Sequence, residues 1–224
     1  MSLQDVSRSS FVEQQREVFG FTRLNYRLKY KRLFDLGLTI AAMPILVPVI
    51  FTLAVLVSLD GGNPFYVQKR VGLYGRVFRL VKLRTMVVNA DQVLTKQIRE
   101  NPKIAEEWHT NQKIENDTRI TRIGRLLRAT SLDELPQFWN VLRGDMSIVG
   151  PRPMIVAQRR LYEGSAYFQL KPGITGNWQV SCRSESSFAQ RADYDLAYRE
   201  NYSFLIDLQI VLKTVLVVLR CTGR

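Results

Sequence analysis

Two acids stand side by side in SLDELPQFWNVL, residues 131–142: Asp133 and Glu134, with Arg128 before them and Pro136 just after. A second basic stretch, RGDMSIVGPRP, follows and carries Arg152. Adjacent carboxylates among arginines have two readings. Ser131-x-x-Glu134 is the pattern of a capping box, with Ser131 at the N-cap and Glu134 at N3, and acids in a first turn suit the helix dipole. Taken alone, SLDE is more often a cap than a site. Pro136 fits poorly at the fifth helical position, which moves the expected helix start a residue or two later. The chemical reading uses the same residues. Neighbours on a helix point about 100° apart, so the two acids suit separate tasks rather than one shared proton. An ionised carboxylate at a positive helix end can attack phosphorus, as in aspartyl-phosphate chemistry. The second acid can hold Mg2+, which binds through one or two carboxylates plus substrate phosphates. Arginines then neutralise the remaining phosphate charge.

Composition narrows the alternatives. The chain has 224 residues, the length of one domain, and a net charge of +12 from 32 Lys+Arg against 20 Asp+Glu. Such an excess points to an anionic partner: nucleic acid, a membrane surface or phosphates. Aromatic residues do not interleave with the basic clusters as a nucleic-acid platform requires, so no nucleic-acid partner is expected. The single histidine, His109, excludes a His-rich metal cage and argues against Ser-His-Asp catalysis. Cys182 and Cys221 lack ligand spacing, which disfavours zinc and points to a reducing compartment.

The elements that must position the acids begin with an apolar segment. Residues 1–30 read as a flexible N-terminal segment without a signal-peptide core. From Leu36 to Leu59 no charge occurs, over 24 residues, and a spanning helix needs about 20. Pro44 and Pro48 fall mid-segment, where a helix bends. Both flanks are basic, with Lys31 and Arg32 before and Lys69 and Arg70 after. Basic flanks favour the cytoplasmic side, so residues 31–60 are predicted to form a re-entrant membrane helix hairpin that dips into one leaflet and returns. A spanning helix and a buried core helix are the alternatives. Residues 61–224 are then a cytoplasmic catalytic domain.

Within that domain, PFYVQKRVG and RVFRLVKLRTM read as a small β-hairpin turning around residues 72–75. Residues 89–115 read as one or two surface helices, and a short helix carries Ile123, Leu126 and Leu127. Apolar residues at 135, 138, 139 and 142 predict a helix. KPGITGNWQV reads as a loop leading into a short extended stretch, and helices are expected at 188–202 and 204–220, the last apolar enough for core or membrane interface. The fold class is α+β and helix-rich, with amphipathic interface helices around the catalytic core.

The blocks KRLFD, GNPFYVQKRVG, VKLRTM, LLRATSLDELPQFWNVLRGDMSIVGPRP and KPGITGNWQV, in this order, resemble the bacterial sugar transferases, or monotopic phosphoglycosyl transferases, from about Lys31 to the C-terminus. The short, exopolysaccharide-initiating members are the most similar. The resemblance implies transfer of hexose 1-phosphate from a UDP-hexose to undecaprenyl phosphate, with release of UMP and a phosphosugar-aspartyl intermediate. That step starts exopolysaccharide, capsule or O-antigen synthesis at the cytoplasmic face of the bacterial inner membrane, with galactose slightly preferred over glucose. It implies Asp133 as nucleophile and Glu134 as ligand to a Mg2+ cofactor. Arg128 and Arg152 are implied as phosphate binders, with Lys82, Arg84, Arg183 and Asp195 as weaker members of the substrate site. Lys31 and Arg32 are expected at lipid head groups or polyprenyl phosphate. The bend falls thirteen residues after Asp35, at Pro48. Val47 stands where the family usually has serine, Pro44 is an additional proline, and Cys182 replaces a common glycine before Arg183. Membrane lipids are implied partners, and the amphipathic surfaces leave room for a homodimer. The competing reading from another class is a non-enzymatic, membrane-anchored basic protein that binds anionic lipid, which leaves the acid pair unexplained.

Overall fold

The computed structural model describes residues 26–111, 114, 117–181 and 190–219. Of the segment expected to be flexible, residues 1–30, the part up to residue 25 lies outside these residues, as do both cysteines and Arg183, whereas Tyr26–Tyr30 is helical and Tyr26 is buried. A π-helical turn, Tyr26–Tyr30, leads into helix α1, Lys31–Ser58, which continues through both Pro44 and Pro48. Each proline removes one N–H from the helical ladder. The Thr52 hydroxyl donates to the Pro48 carbonyl at 2.9 Å, a back-bond that tends to bend helices. Among the described residues α1 is the one helix long and apolar enough to cross a membrane, by length and composition.

Both ends of α1 are fastened to the same body. Near its start, Arg32 donates to the carbonyls of Val141 and Leu142 at 2.6 and 2.9 Å. Asp35 is buried and accepts from the Ser147 hydroxyl and the Ile148 N–H, both at 3.0 Å. At the far end Val57 packs with Leu83 and Leu127. Between them, residues 40–56 include no buried position, and Ile45 and Phe51 are 70% and 69% exposed.

Strands β1, Phe65–Val71, and β2, Val77–Leu83, pair antiparallel from Phe65 opposite Leu83 to Val71 opposite Val77. Alternation along β2 sends Phe78, Leu80 and Lys82 to one face and Val81 and Leu83 to the other. Phe78 and Leu80 join the main core with Val141, Met146 and Ile148, whereas Leu83 packs on the end of α1. Helices α2, Ala90–Glu100, and α3, Pro102–Asn111, form the expected surface pair. They are followed by α4, Arg122–Thr130, and α5, Gln137–Arg143. At Gly124 of α4 a Cβ would stand 2.0 Å from the Thr85 carbonyl oxygen, so only glycine permits this close approach to the chain after β2.

Strand β3, Ser147–Val149, pairs parallel with β4, Gly173–Thr175. The order expected along KPGITGNWQV is reversed: this strand, Gly173–Thr175, lies in the part expected as loop. Asn177–Ser181 is helix α6 rather than extended chain, because the pairing with β3 ends at Thr175. Helices α7, Arg191–Asn201, and α8, Phe204–Leu219, close the described chain. Asp207 of α8 is fully buried and accepts from the Tyr26 hydroxyl, the Tyr198 hydroxyl and Lys31 Nζ, each at 2.6 Å. Tyr26, Phe34 and Phe204 meet edge to face beside it. The N-terminal end of α1 is thereby joined to α7 and α8.

Candidate active site

Asp133 and Glu134 occupy a one-turn 3-10 helix, Leu132–Glu134, between α4 and α5. The capping-box expectation fails here. Ser131 adopts the left-handed conformation, φ 59°, and its N–H closes the C-terminus of α4 onto the Leu127 and Arg128 carbonyls. Its side chain caps nothing, because the residue ends one helix instead of starting another. The helix begins after Pro136, as the proline's missing N–H requires.

The turn is set against β2 by Asn140. This buried amide donates to the Arg79 carbonyl at 2.7 Å and accepts from the Val81 N–H at 3.1 Å, completing the strand edge opposite β1. Lys82, on the inward face of β2, therefore meets the acids. Its Nζ lies 2.6 Å from Glu134 Oε1 and 3.8 Å from Asp133 Oδ2. Arg152 Nη2 stands 3.7 Å from the same Glu134 oxygen.

Arg152 is presented by the loop after β3. Arg70 holds that loop by donating to the Pro153 carbonyl at 2.9 Å, and Arg191 donates to the Arg152 carbonyl. The Arg152 and Arg191 guanidiniums both lie over the Trp178 ring, at 5.9 and 5.4 Å. Arg128, in the last turn of α4, donates through Nε to the Thr85 hydroxyl at 2.9 Å and attracts Asp133 electrostatically. An open cleft is lined by Arg70, Lys82, Glu134, Gln137, Arg152 and Gln179, with Leu80, Pro153 and Ile174. Asp133 is not among the lining residues, and its side chain is 12% exposed.

Burial pushes the Asp133 carboxyl above the ordinary aspartate range. Lys82 opposes that shift most strongly, Glu134 adds to it, and Arg128 and Arg152 also oppose it. Burial likewise lowers Arg128, with Asp133 and Asp117 opposing. Arg70 is pushed down to about 10 by burial and then by the neighbouring Arg152 charge. Crowded, partly desolvated cations around a cleft favour an anionic ligand.

The cation set converges only in part. Lys82, Arg152 and Arg128 gather around the acid pair, whereas Arg84 spends its donors elsewhere. It reaches Asp60 Oδ2 at 2.8 Å and the carbonyls of Val57, Asn63 and Met86. This is the pairing with a nearby acid that competes with any substrate role. Asp195 is buried, accepts from the Tyr162 hydroxyl at 2.9 Å, and is not on the cleft wall. Burial pushes it up to about 6, with Arg191 and Tyr162 opposing. Lys31 and Arg32 are committed to internal partners, Asp207 and the α5 carbonyls. Asp145 sits in the turn after α5, its N–H on the Asn140 carbonyl.

Sequence reasoning missed Asn140, Arg70, Arg191 and Gln137. Arg70 stands in the QKRVG block and Gln137 follows the acid pair by one turn, so proximity to recognised blocks was the available signal.

Among the described residues no three His, Cys, Asp or Glu side chains cluster for a metal. The donor set present is two neighbouring carboxylates beside a cationic cleft. That set fits an oxygen-seeking Mg2+ completed by substrate phosphates, and does not fit zinc.

Comparisons with known proteins place the chain among its relatives. The UDP-galactose-lipid carrier transferase of Erwinia amylovora is 48% identical over 195 residues, covering 86% of this chain and 41% of the relative. The exopolysaccharide production protein ExoY of Sinorhizobium fredii is 45% identical over 197 residues, covering 87% of this chain and 86% of that protein. The UDP-glucose:undecaprenyl-phosphate glucose-1-phosphate transferase of Xanthomonas campestris is 40% identical, over 89% of this chain and 41% of its own length. The chain thus spans about two fifths of two of these relatives and most of the third. With residues 26–221 matching the family's pattern from the turn before α1 to the last helix, this chain belongs to the bacterial sugar transferase family.

Proposed function

We propose that the chain transfers hexose 1-phosphate from a UDP-hexose to undecaprenyl phosphate and releases UMP. The observation that carries the reading is the acid pair set against Lys82 and Arg152 at a cationic cleft. Relatives named UDP-galactose-lipid carrier transferase and UDP-glucose:undecaprenyl-phosphate glucose-1-phosphate transferase support the reaction class.

Asp133 attacks the phosphorus that carries the hexose. The P–O bond to UMP breaks and UMP leaves with the electron pair. A polyprenyl phosphate oxygen then attacks the same phosphorus and frees the Asp133 carboxylate. Lys82 and Arg128 favour the ionised nucleophile, and Arg152 binds phosphate oxygens beside Glu134. Glu134, with substrate phosphates, would hold Mg2+, whose positive charge supplies electrostatic stabilisation of the transferring phosphoryl group. Arg84 serves the exit of α1, and Lys31 with Arg32 anchors its entry.

A re-entrant α1 at the cytoplasmic face of the inner membrane is part of the same proposal. Its two anchored ends, exposed apolar middle and internal prolines support an arch that leaves and rejoins one body. The exposed apolar face of α8, with Leu205, Leu212 and Leu216, suits the bilayer boundary next to it. Galactose is the preferred donor sugar, glucose the alternative.

The test is intact mass on detergent-solubilised protein mixed with Mg2+ and UDP-galactose or UDP-glucose, without lipid acceptor. A hexose-phosphate adduct accompanied by UMP, absent from Asp133→Asn, is the expected result. Silence across a donor panel, even with polyprenyl phosphate added, sinks the reading and favours a non-enzymatic lipid-binding protein.

A further inference from the structure

One neutral group in the cleft has no partner. Gln137 opens α5, four residues after Asp133, and lines the cleft beside Lys82, Glu134 and Arg152. The residue is 2% exposed. Its amide makes no hydrogen bond among the described residues. Asn140, one turn further along the same helix, shows the contrast: its amide is spent on both β2 backbone groups. Gln137 is thus held by α5, whose position is already fixed, and its polar end is left for a ligand.

The chemistry of that ligand follows from the neighbours. Lys82, Arg152 and Arg70 are the groups suited to a diphosphate. An amide offers one carbonyl acceptor and two N–H donors without charge. Its natural complement is a neutral group that both donates and accepts, a hydroxyl. Buried polar groups are ordinarily hydrogen-bonded, and a site built to bond a hydroxyl discriminates against analogues that lack or misplace it.

We propose that Gln137 reads the donor sugar, its amide hydrogen-bonding a hexose hydroxyl of the UDP-hexose in the cleft. The inference rests on the reading of the cleft as the donor site. It assigns a specificity residue one turn from the nucleophile.

The experiment compares the full chain with Gln137→Met, which keeps the volume and removes the amide, and Gln137→Glu, which keeps an acceptor and removes the N–H donors. Two quantities are read: affinity for UDP, which has no sugar, and kcat/KM for UMP release from UDP-galactose and UDP-glucose. UDP affinity of Gln137→Met is expected to stay within about twofold of the parent, whereas kcat/KM for the preferred hexose falls roughly 10–100-fold and the galactose-to-glucose ratio changes. Gln137→Glu separates the donor role from the acceptor role by where it falls between these limits. If UDP and UDP-hexose weaken together, the amide serves the nucleotide or the cleft's shape, and the proposal is wrong. If neither changes, the amide is merely hydrated, and it is equally wrong. Failure of the parent chain to release UMP from any UDP-hexose removes the donor-site reading itself, a result visible before any variant is compared.

Discussion

Lys82 Nζ stands 2.6 Å from Glu134 Oε1 and 3.8 Å from Asp133 Oδ2, so one strand residue is set against both acids. Its attraction is the chief force holding the Asp133 carboxyl down against burial. Lys82→Met therefore raises the Asp133 pKa further. The ionised, attacking form is lost as pH falls through that pKa, so the acid limb of adduct formation moves to higher pH in the variant. Adduct formation at neutral pH drops by roughly 10–100-fold, as expected for one removed electrostatic partner. A pH series of adduct yield checks both; an unmoved acid limb would mean Lys82 does not act on the nucleophile.

Glu134→Gln keeps the shape of the 3-10 turn and removes a charged oxygen ligand. Turnover is expected to fall by about 100-fold or more, with the dependence on Mg2+ concentration displaced upward. Titration of UMP release with Mg2+ and Mn2+ is the measurement. A fall in rate at unchanged metal dependence would assign Glu134 to phosphate positioning alone.

Asp195 gives a stability prediction with a defined sign. Its carboxyl titrates near 6 in the fold, against an ordinary value of about 3.9 in the unfolded chain. The folded state therefore binds the extra proton between those values, and stability declines as pH rises from about 4 through about 6. Asp195→Asn removes that decline, a gain on the order of 2–3 kcal/mol above pH 7, a figure already net of the attraction to Arg191. Thermal unfolding at pH 4.5 and 7.5 tests it: the variant should show the smaller difference between the two.

Asp207 accepts three hydrogen bonds in a fully buried place. Asp207→Ala removes the acceptor of the Tyr26 hydroxyl and leaves Lys31 and the Tyr198 hydroxyl only their longer bonds, to Asp35 at 3.4 Å and the Val149 carbonyl at 3.2 Å, a loss of about 3–5 kcal/mol. The midpoint of thermal unfolding in detergent should fall steeply. A shift of only a degree or two would show that the network adds little to holding α1.

The topology of α1 is open to labelling. With Cys182 and Cys221 replaced by serine, single cysteines at Lys29 and Asn63 should both react from the cytoplasmic side. Pro48→Ala restores the missing N–H and should favour a straighter helix, shifting part of the Asn63 site to the outside. Opposite sidedness of the two sites in the parent would overturn the arch.

What could be read from residue order alone was local. The β-hairpin announced itself by alternation, and its Gly72–Gly75 turn lies between β1 and β2 as expected. Pro136 correctly delayed the start of α5. SLDE was locally indistinguishable from a cap, because the left-handed Ser131 that ends α4 is set by the α4–α5 corner and not by any periodic pattern. The Asn140 contact to β2 joins residues about sixty positions apart, and an amide that completes a strand edge leaves no hydrophobic signature. Helix α6 was read as extended for a similar reason: β-branched and aromatic residues favour strand locally, but pairing with β3 stops at Thr175. Gln137 was hidden by its ordinary appearance, since only burial without a partner distinguishes it.

The Lys31–Asp207 bond joins positions 176 residues apart. At ribosomal speeds of about 5–20 residues per second, the first helix waits roughly 10–35 s for the aspartate that neutralises its lysine. During that interval Arg32 can already meet the α5 carbonyls and Asp35 can meet β3, but the contact with α8 is still missing. A chain halted before residue 207 would carry this greasy segment with Lys31 held by Asp35 alone, at 3.4 Å, and with the Tyr26 hydroxyl short of its acceptor. Helix α8 thus supplies the last-made of the contacts that fasten the start of α1.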